Sequence, residues 1–360
     1  MIVPSLFGER TTMNISRGSR MALVLAGFLA PSMPGLAFGN EAAQSVFSGG
    51  FAWEVSAPLI GPASGTEDFY YSIKDPSAVY YNSVWHLFCT VRGQKRPHQI
   101  EYLTFPDWDH SAQAVRRFLQ ITDGYYCAPQ IFYFAPQQTW YLIYQTSDPA
   151  RKPELQPAFS TTKTLDDPLS WSPPVMLYDT NPPPVDMWID FWVIGDEDKM
   201  YLFFTSLNGK MWRAETRLED FPHGWSQPVL ALEADIFEAG HIYRIQGEEL
   251  YLAVIEAQRG SRRYYKAYTA DRLDGKWLPL ADTYEKPFAS PANVKDSGLH
   301  WADSISHGEI LRAGYDHRLM IDPGNLVFLF QGVLDQEMAG KKYGEIPWRL
   351  GLLTPVQPSF

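Results

Sequence analysis

Cysteine is nearly absent. Cys89 and Cys127 are the only two in 360 residues, which excludes a disulfide-framework scaffold. One bridge between them is open in an oxidising compartment, but two buried free thiols is the preferred reading. Positive charge is also in short supply: 30 Lys and Arg against 41 Asp and Glu leave a net charge of -11. That balance argues against a nucleic-acid partner, which requires a basic face. No stretch beyond the first forty residues is apolar enough to span a membrane. There is no G-x-S-x-G elbow, no P-loop and no H-E-x-x-H. The nearest approach to a phosphate loop, Gln258 to Arg263, is a basic turn with one glycine. Amphipathic helical periods are few, which turns the reading toward an all-β protein.

What is present begins with a leader. Arg17 and Arg20 precede an apolar run, residues 21–30, and Ala37-Phe38-Gly39 follows as a small-x-small pattern. These are the charged region, apolar region and cleavage site of a secretory signal. Residues 1–39 are expected to be a signal peptide, with Met13 a candidate start, and 40–50 a short linker. Residues 51–360 are expected to fold as one domain, exported to the periplasm or the medium. Hydrophobic residues at 45% give it a sizeable core, and aromatics at 15% suit a protein that stacks flat rings on sugars.

Within that domain a unit recurs five times: a polar residue, a short strand, a turn and a second strand. Asp75 leads into SAVYY and VWHLFCTV; Gln130 into IFYF and TWYLIYQT; Asp190 into FWVI and MYLFFTS; Glu238 into HIYRI and LYLAVIEA; His307 into ILRAG and, after a detour, NLVFLFQG. Successive polar positions are 48 to 69 residues apart. Repeats of about 40–50 residues with four strands each are propeller blades. An all-β, five-bladed β-propeller is expected, with the runs at 51–55 and 348–353 closing the ring against each other.

In a propeller the repeated polar residues meet at the central channel, so Asp75, Asp190 and Glu238 are expected to converge. Asp190 stands alone in Met187-Trp188-Ile189-Asp190-Phe191-Trp192-Val193-Ile194, a strand by composition. A carboxylate there is either a structural acid satisfying buried donors or a catalytic one. Three carboxyls at repeating positions favour a site. Burial and mutual repulsion set their pKa values apart, and two carboxyls in opposite protonation states are the minimum machinery of glycoside hydrolysis. His307 lies in a polar island, SISHGE, and reads as a metal ligand, an orienting donor or a satisfied core histidine; residue physics alone favours the last.

The motifs SIKDPSAVYY, APQIFYFAPQQTWYLIYQT, WIDFWVI, LFFTSLNGKMWRAET, FPHGWSQPV, IFEAGHIY, SRRYY, SISHGEILR and IPWRLGLLT, in this order, resemble those of glycoside hydrolase family 62. Those enzymes are α-L-arabinofuranosidases acting on arabinoxylan. The resemblance runs from about Phe51 to Thr354 and implies an inverting enzyme that removes single arabinofuranosyl side groups. It implies Asp75 as general base, Glu238 as general acid and Asp190 as the residue that tunes and orients the acid. Lys74, Arg262 and Tyr343 would hold the arabinose. His307 would contact a calcium ion whose sphere is mostly water. Arabinoxylan and its oligosaccharides would be the partners of a monomer, with no nucleic acid and no membrane involved. Related propeller activities, β-xylosidase or arabinanase, and a non-catalytic carbohydrate-binding propeller are the alternatives. A short Cys pair found after WVI in many relatives is replaced here by Gly195 and Met200. The segment after Gln145, TSDPARKPELQPAFSTT, is longer and more charged than the usual loop.

Overall fold

A computed structural model describes residues 49–356 apart from 181, 183–185 and 296; the expected signal peptide and nearly all of the expected linker lie outside the described residues. The chain is almost entirely strand. After β1 (Trp53–Val55), blade I comprises β2 (Tyr70–Tyr81), β3 (Val84–Gly93), β4 (Gln99–Phe105) and β5 (Val115–Phe118). Blade II holds β6 (Tyr126–Phe134), β7 (Thr139–Ser147), β8 (Leu155–Thr162) and β9 (Val175–Met176). Blade III holds β10 (Ile189–Gly195), β11 (Lys199–Thr205), β12 (Lys210–Arg217) and β13 (Val229–Glu233). Blade IV holds β14 (Glu238–Ile245), β15 (Tyr251–Arg259), β16 (Arg262–Ala270) and β17 (Leu278–Ala281). Blade V takes β18 (Ser304–Ile310), β20 (Phe328–Val333) and β21 (Arg349–Pro355), while β19 (Met320–Ile321) pairs in parallel with β14.

Each blade is an antiparallel meander, and the ring closes as expected. The N-terminal β1 is the outer strand of blade V, with Trp53, Glu54 and Val55 opposite Pro355, Thr354 and Leu353. Trp53 locks this seam by donating its indole N–H to Phe288 O. Local chemistry sets the hairpins. Asn82 and Ser83 have φ of 50° and 62°, the pair of left-handed residues that a two-residue hairpin turn needs. Asp196 accepts from Asp198 N and Lys199 N and so shapes the β10–β11 turn. Gly195 and Met200 are direct cross-strand partners beside that turn. Both cysteines are buried free thiols.

Blades pack face to face through aromatic side chains such as Trp188, Trp192, Phe203 and Phe204, all fully buried. Polar staples tie neighbours together. Gln130 uses its whole amide on the backbone of Val193 in the next blade, donating to Val193 O and accepting from Val193 N at 2.7 Å each. Arg312 donates to Ile131 O and Ala78 O, both at 2.9 Å, and pairs with Glu309 at 2.8 Å with both side chains fully buried. No helix among the described residues is long and apolar enough to cross a membrane.

Candidate active site

The innermost strand of every blade carries the same defect. Its pairing with the second strand slips by one residue between Lys74 and Ser77, Cys127 and Gln130, Ile189 and Trp192, Glu238 and His241, and Ser306 and Glu309. Each is a β-bulge, and the first extra residue has positive φ: Asp75 49°, Ala128 51°, Asp190 56°, Ala239 49° and His307 20°. None is glycine, so each costs on the order of 1–3 kcal/mol and persists only because its surroundings hold it. In blade V the next residue is Gly308, where a Cβ would lie 2.4 Å from Leu329 O. Five bulges aim side chains into one mouth.

That mouth is a cavity of about 370 Å³ lined by Lys74, Asp75, His98, Tyr125, Cys127, Ala128, Gln145, Ile189, Asp190, Phe237, Glu238, Arg263, His307 and Tyr343. The three expected carboxyls, Lys74, His307 and Tyr343 meet there. Gln130 and Arg262 do not. The repeating position in blade II is Ala128, two residues before Gln130, whose amide is committed to Val193. Arg262 points outward and pairs with Asp335 at 2.6 Å, so the expectation for it is corrected. Its neighbour Arg263 enters the cavity and bonds Glu238 Oε1 at 3.0 Å and Glu256 Oε1 at 2.7 Å. A strand alternates its side chains, so a slip of one residue exchanges inside for outside.

The electrostatics separate the acids. Burial pushes the Asp75 carboxyl up, but Lys74, 3.4 Å away, and His307, 3.5 Å away, outweigh it and hold it below the usual aspartate value. Glu238 is driven the other way. Burial, Glu256 and Asp190 raise it well above the glutamate value against the pull of Arg263 and Lys74. Asp190 is raised by burial, opposed by His307 and reinforced by Asp75; its Oδ2 accepts from Ala239 N at 3.1 Å, which fixes the backbone next to Glu238. The Lys74 ammonium lies 5.4 Å from the centre of the Tyr343 ring. Burial keeps the Cys127 sulfur a thiol, its pKa pushed up to about 12.

Calcium takes six to eight oxygen ligands. The His307 ring offers one nitrogen toward Asp75 and lies 3.9 Å from Asp190 by the same atom. The described residues contain no group of three or more His, Cys, Asp or Glu side chains arranged for a metal. A calcium ion held mostly by water, as expected at His307, needs no such cluster of protein ligands.

Sequence reasoning missed a further layer. The residue opposite the start of each bulge, on the second strand, is Thr90, Gln145, Thr205, Glu256 or Gln331. Four of them reach across to the next blade and accept from the N–H of its strained bulge residue. Thr90 holds Ala128 N (2.8 Å), Gln145 holds Asp190 N (3.4 Å), Glu256 holds His307 N (2.7 Å) and Gln331 holds Asp75 N (2.8 Å). Thr205 makes no such bond, and Asp190 takes its place on Ala239. No shared residue type marks these positions in the sequence; what they share is a fixed register to the bulge, on the second strand of each repeated unit.

A five-bladed propeller whose channel mouth holds two carboxyls with pKa values pushed in opposite directions, in a sugar-sized cavity, is a glycosidase architecture. The chain matches the model of glycosyl hydrolase family 62 over residues 52–354, and it belongs to that family. It is 36% identical over 308 residues to alpha-L-arabinofuranosidase C of Cellvibrio japonicus, covering 84% of this chain and 46% of the relative, so it spans about half of that protein's length. Among solved structures, the catalytic domain of the Coprinopsis cinerea family 62 α-L-arabinofuranosidase superposes with a TM-score of 0.80 at 37% identity, covering 85% of this chain and 98% of that one. A family 62 hydrolase in complex with xylotriose gives 0.80 at 34% identity, with 87% and 99% covered.

Proposed function

We propose that the protein is an inverting α-L-arabinofuranosidase that removes single arabinofuranosyl side groups from arabinoxylan. The observation that carries this is that Asp75 and Glu238 line one cavity in opposite settings, Asp75 beside Lys74 and His307, which lower its pKa, and Glu238 buried near the carboxyls of Glu256 and Asp190, which raise its own. Asp75, ionised between Lys74 and His307, takes a proton from water as that water attacks the anomeric carbon. Glu238, protonated, gives its proton to the departing xylosyl oxygen. The two residues come from blades I and IV, which are not neighbours in the ring, and this leaves room for water opposite the leaving group. Asp190 holds Ala239 N and keeps Glu238 beside a second carboxyl, favouring the proton-bearing form. Lys74, Arg263 and Tyr343 line the cavity that would take the arabinose ring. The xylotriose complex of a relative supports a xylan main chain passing the cavity mouth.

The test is incubation with wheat arabinoxylan, linear arabinan and xylo-oligosaccharides, followed by NMR. Arabinose released from arabinoxylan as the β-anomer is expected; xylose without arabinose would favour the β-xylosidase alternative. Export as a monomer completes the proposal. It predicts a mature N-terminus near Asn40 by mass spectrometry of the secreted product.

A further inference from the structure

We propose that Glu256 is a positioning residue for this reaction, holding the acid Glu238 through Arg263 and the base Asp75 through Ser306 and Gln331. The inference rests on the roles given to Glu238 and Asp75 above. Glu256 is fully buried and touches no solvent. Its two oxygens divide the work. Oε1 accepts from Arg263 Nη1 at 2.7 Å, and that same nitrogen bonds Glu238 Oε1 at 3.0 Å. Oε2 accepts from Ser306 Oγ at 2.8 Å and from His307 N at 2.7 Å. Ser306 Oγ in turn accepts from Gln331 Nε2 at 3.2 Å, and Gln331 Oε1 accepts from Asp75 N at 2.8 Å. One unbroken chain of hydrogen bonds therefore runs from the carboxyl of the acid to the backbone of the base, crossing blades IV, V and I.

Glu256 is also the odd member of its ring. Thr90, Gln145, Thr205 and Gln331, at equivalent positions, are neutral, and neutral acceptors suffice to hold a bulge N–H. A charge is needed only where the residue must also occupy a guanidinium. Arg263 shared between the carboxyls of Glu256 and Glu238 cannot commit itself to Glu238, so its pull toward the ionised form is weakened while its aim is kept. A buried charge of this kind is retained at a cost in desolvation, which a merely structural clip would avoid.

The chemistry of the amide makes the test selective. Glu256→Gln keeps a carbonyl oxygen for Ser306 and His307 N but turns an NH₂ toward Arg263, so it breaks the acid side alone. Gln331→Met breaks the base side alone. kcat and KM are measured on an arabinoxylo-oligosaccharide, whose alcohol needs a proton to leave, and on 4-nitrophenyl α-L-arabinofuranoside, whose phenolate does not. Glu256→Gln is expected to lower kcat on the oligosaccharide by roughly 10–100-fold and on the aryl substrate by less than about fivefold, with KM little changed. Gln331→Met is expected to lower both alike, because both need the base. Glu238→Gln serves as reference. If it shows the substrate split and Glu256→Gln does not, the role of Glu256 is overturned. If Glu238→Gln shows no split, the acid assignment falls and the proposal with it. Should Glu256→Gln lose its cooperative melt, Arg263→Met reads the same contact from the other end and must show the same split; an equal loss on both substrates overturns the proposal.

Discussion

Removing the ionisable group of Glu238 while keeping its shape probes the acid assignment directly. Glu238→Gln preserves the volume at a buried position and an acceptor for Arg263, but it has no proton to give. General-acid catalysis contributes about 10²–10⁴ in rate, equivalent to about 3–5 kcal/mol of transition-state stabilisation. That whole amount should vanish from kcat on arabinoxylan, where the leaving oxygen is an alkoxide without it. The pH profile supplies a second, independent reading. Asp75 must be ionised to act, and its carboxyl lies below the ordinary 3.8, so the acid limb of kcat/KM falls only below that value. Glu238 must be protonated, and it lies well above the ordinary 4.5. Activity should therefore persist as pH rises through the usual glutamate range and fall only at the higher, folded value. The parent enzyme is expected to give a bell whose alkaline limb stands well above 4.5; the variant should lose that limb and keep the acid one. A variant that retains the alkaline limb, or loses less than about tenfold on arabinoxylan, would refute the reasoning.

The remaining predictions follow from single contacts. Arg262→Ala should change activity by less than about twofold and stability by less than about 0.5 kcal/mol, since it loses half-exposed pairs with Asp335 and, at 3.9 Å, Asp303. Arg263→Ala, one residue on, should lose at least about tenfold in kcat on arabinoxylan oligosaccharides, because Glu238 then has no anchor. Glu238→Gln should also melt higher than the parent. A carboxyl raised in the folded state contributes stability that is full below its unfolded value and is lost as pH rises toward the folded one, so the gap in Tm should widen from about 4.5 upward. Arg312→Ala leaves Glu309 charged or forced to bind a proton in a dry interior, which should cost about 3–5 kcal/mol by chemical denaturation. Cys127, although it lines the cavity, should resist iodoacetamide at pH 8, because its thiol titrates near 12 and only the thiolate reacts; rapid alkylation measured by mass spectrometry would contradict the burial described.

The blade pattern was legible because it is written in hydrophobic alternation. SAVYY with VWHLFCTV and IFYF with TWYLIYQT became β2–β3 and β6–β7, and the terminal runs found each other as β1 and β21. The register inside each blade was less legible, and the reason is the bulge. A bulge adds one residue that alternation does not count, so taking the first polar residue of each unit selects different geometric positions. Asp75, Asp190 and His307 are the left-handed residue itself, Glu238 is the residue before it, and Gln130 lies two beyond it. Arg262 rested on the resemblance alone, and SRRYY does not say which arginine faces in. Glu256 was hidden for a deeper cause. The five clip positions share a place opposite the bulge but not a residue type, because any acceptor of the right length can hold an N–H. Thr90, Gln145, Glu256 and Gln331 thus have no common signature along the chain and become equivalent only once strands are paired. The same degeneracy explains Asp190. Thr205 makes no bond to the bulge of blade IV, and Asp190, whose side chain lines the cavity, holds Ala239 N instead, so one side chain has a structural duty beside the electrostatic one proposed for it. Asp190→Asn, which keeps the acceptor and removes the charge, separates the two: the fold should survive with Tm within a few degrees, and kcat on arabinoxylan should still fall by at least about tenfold. A fully active Asn variant would leave Asp190 a clip and nothing more.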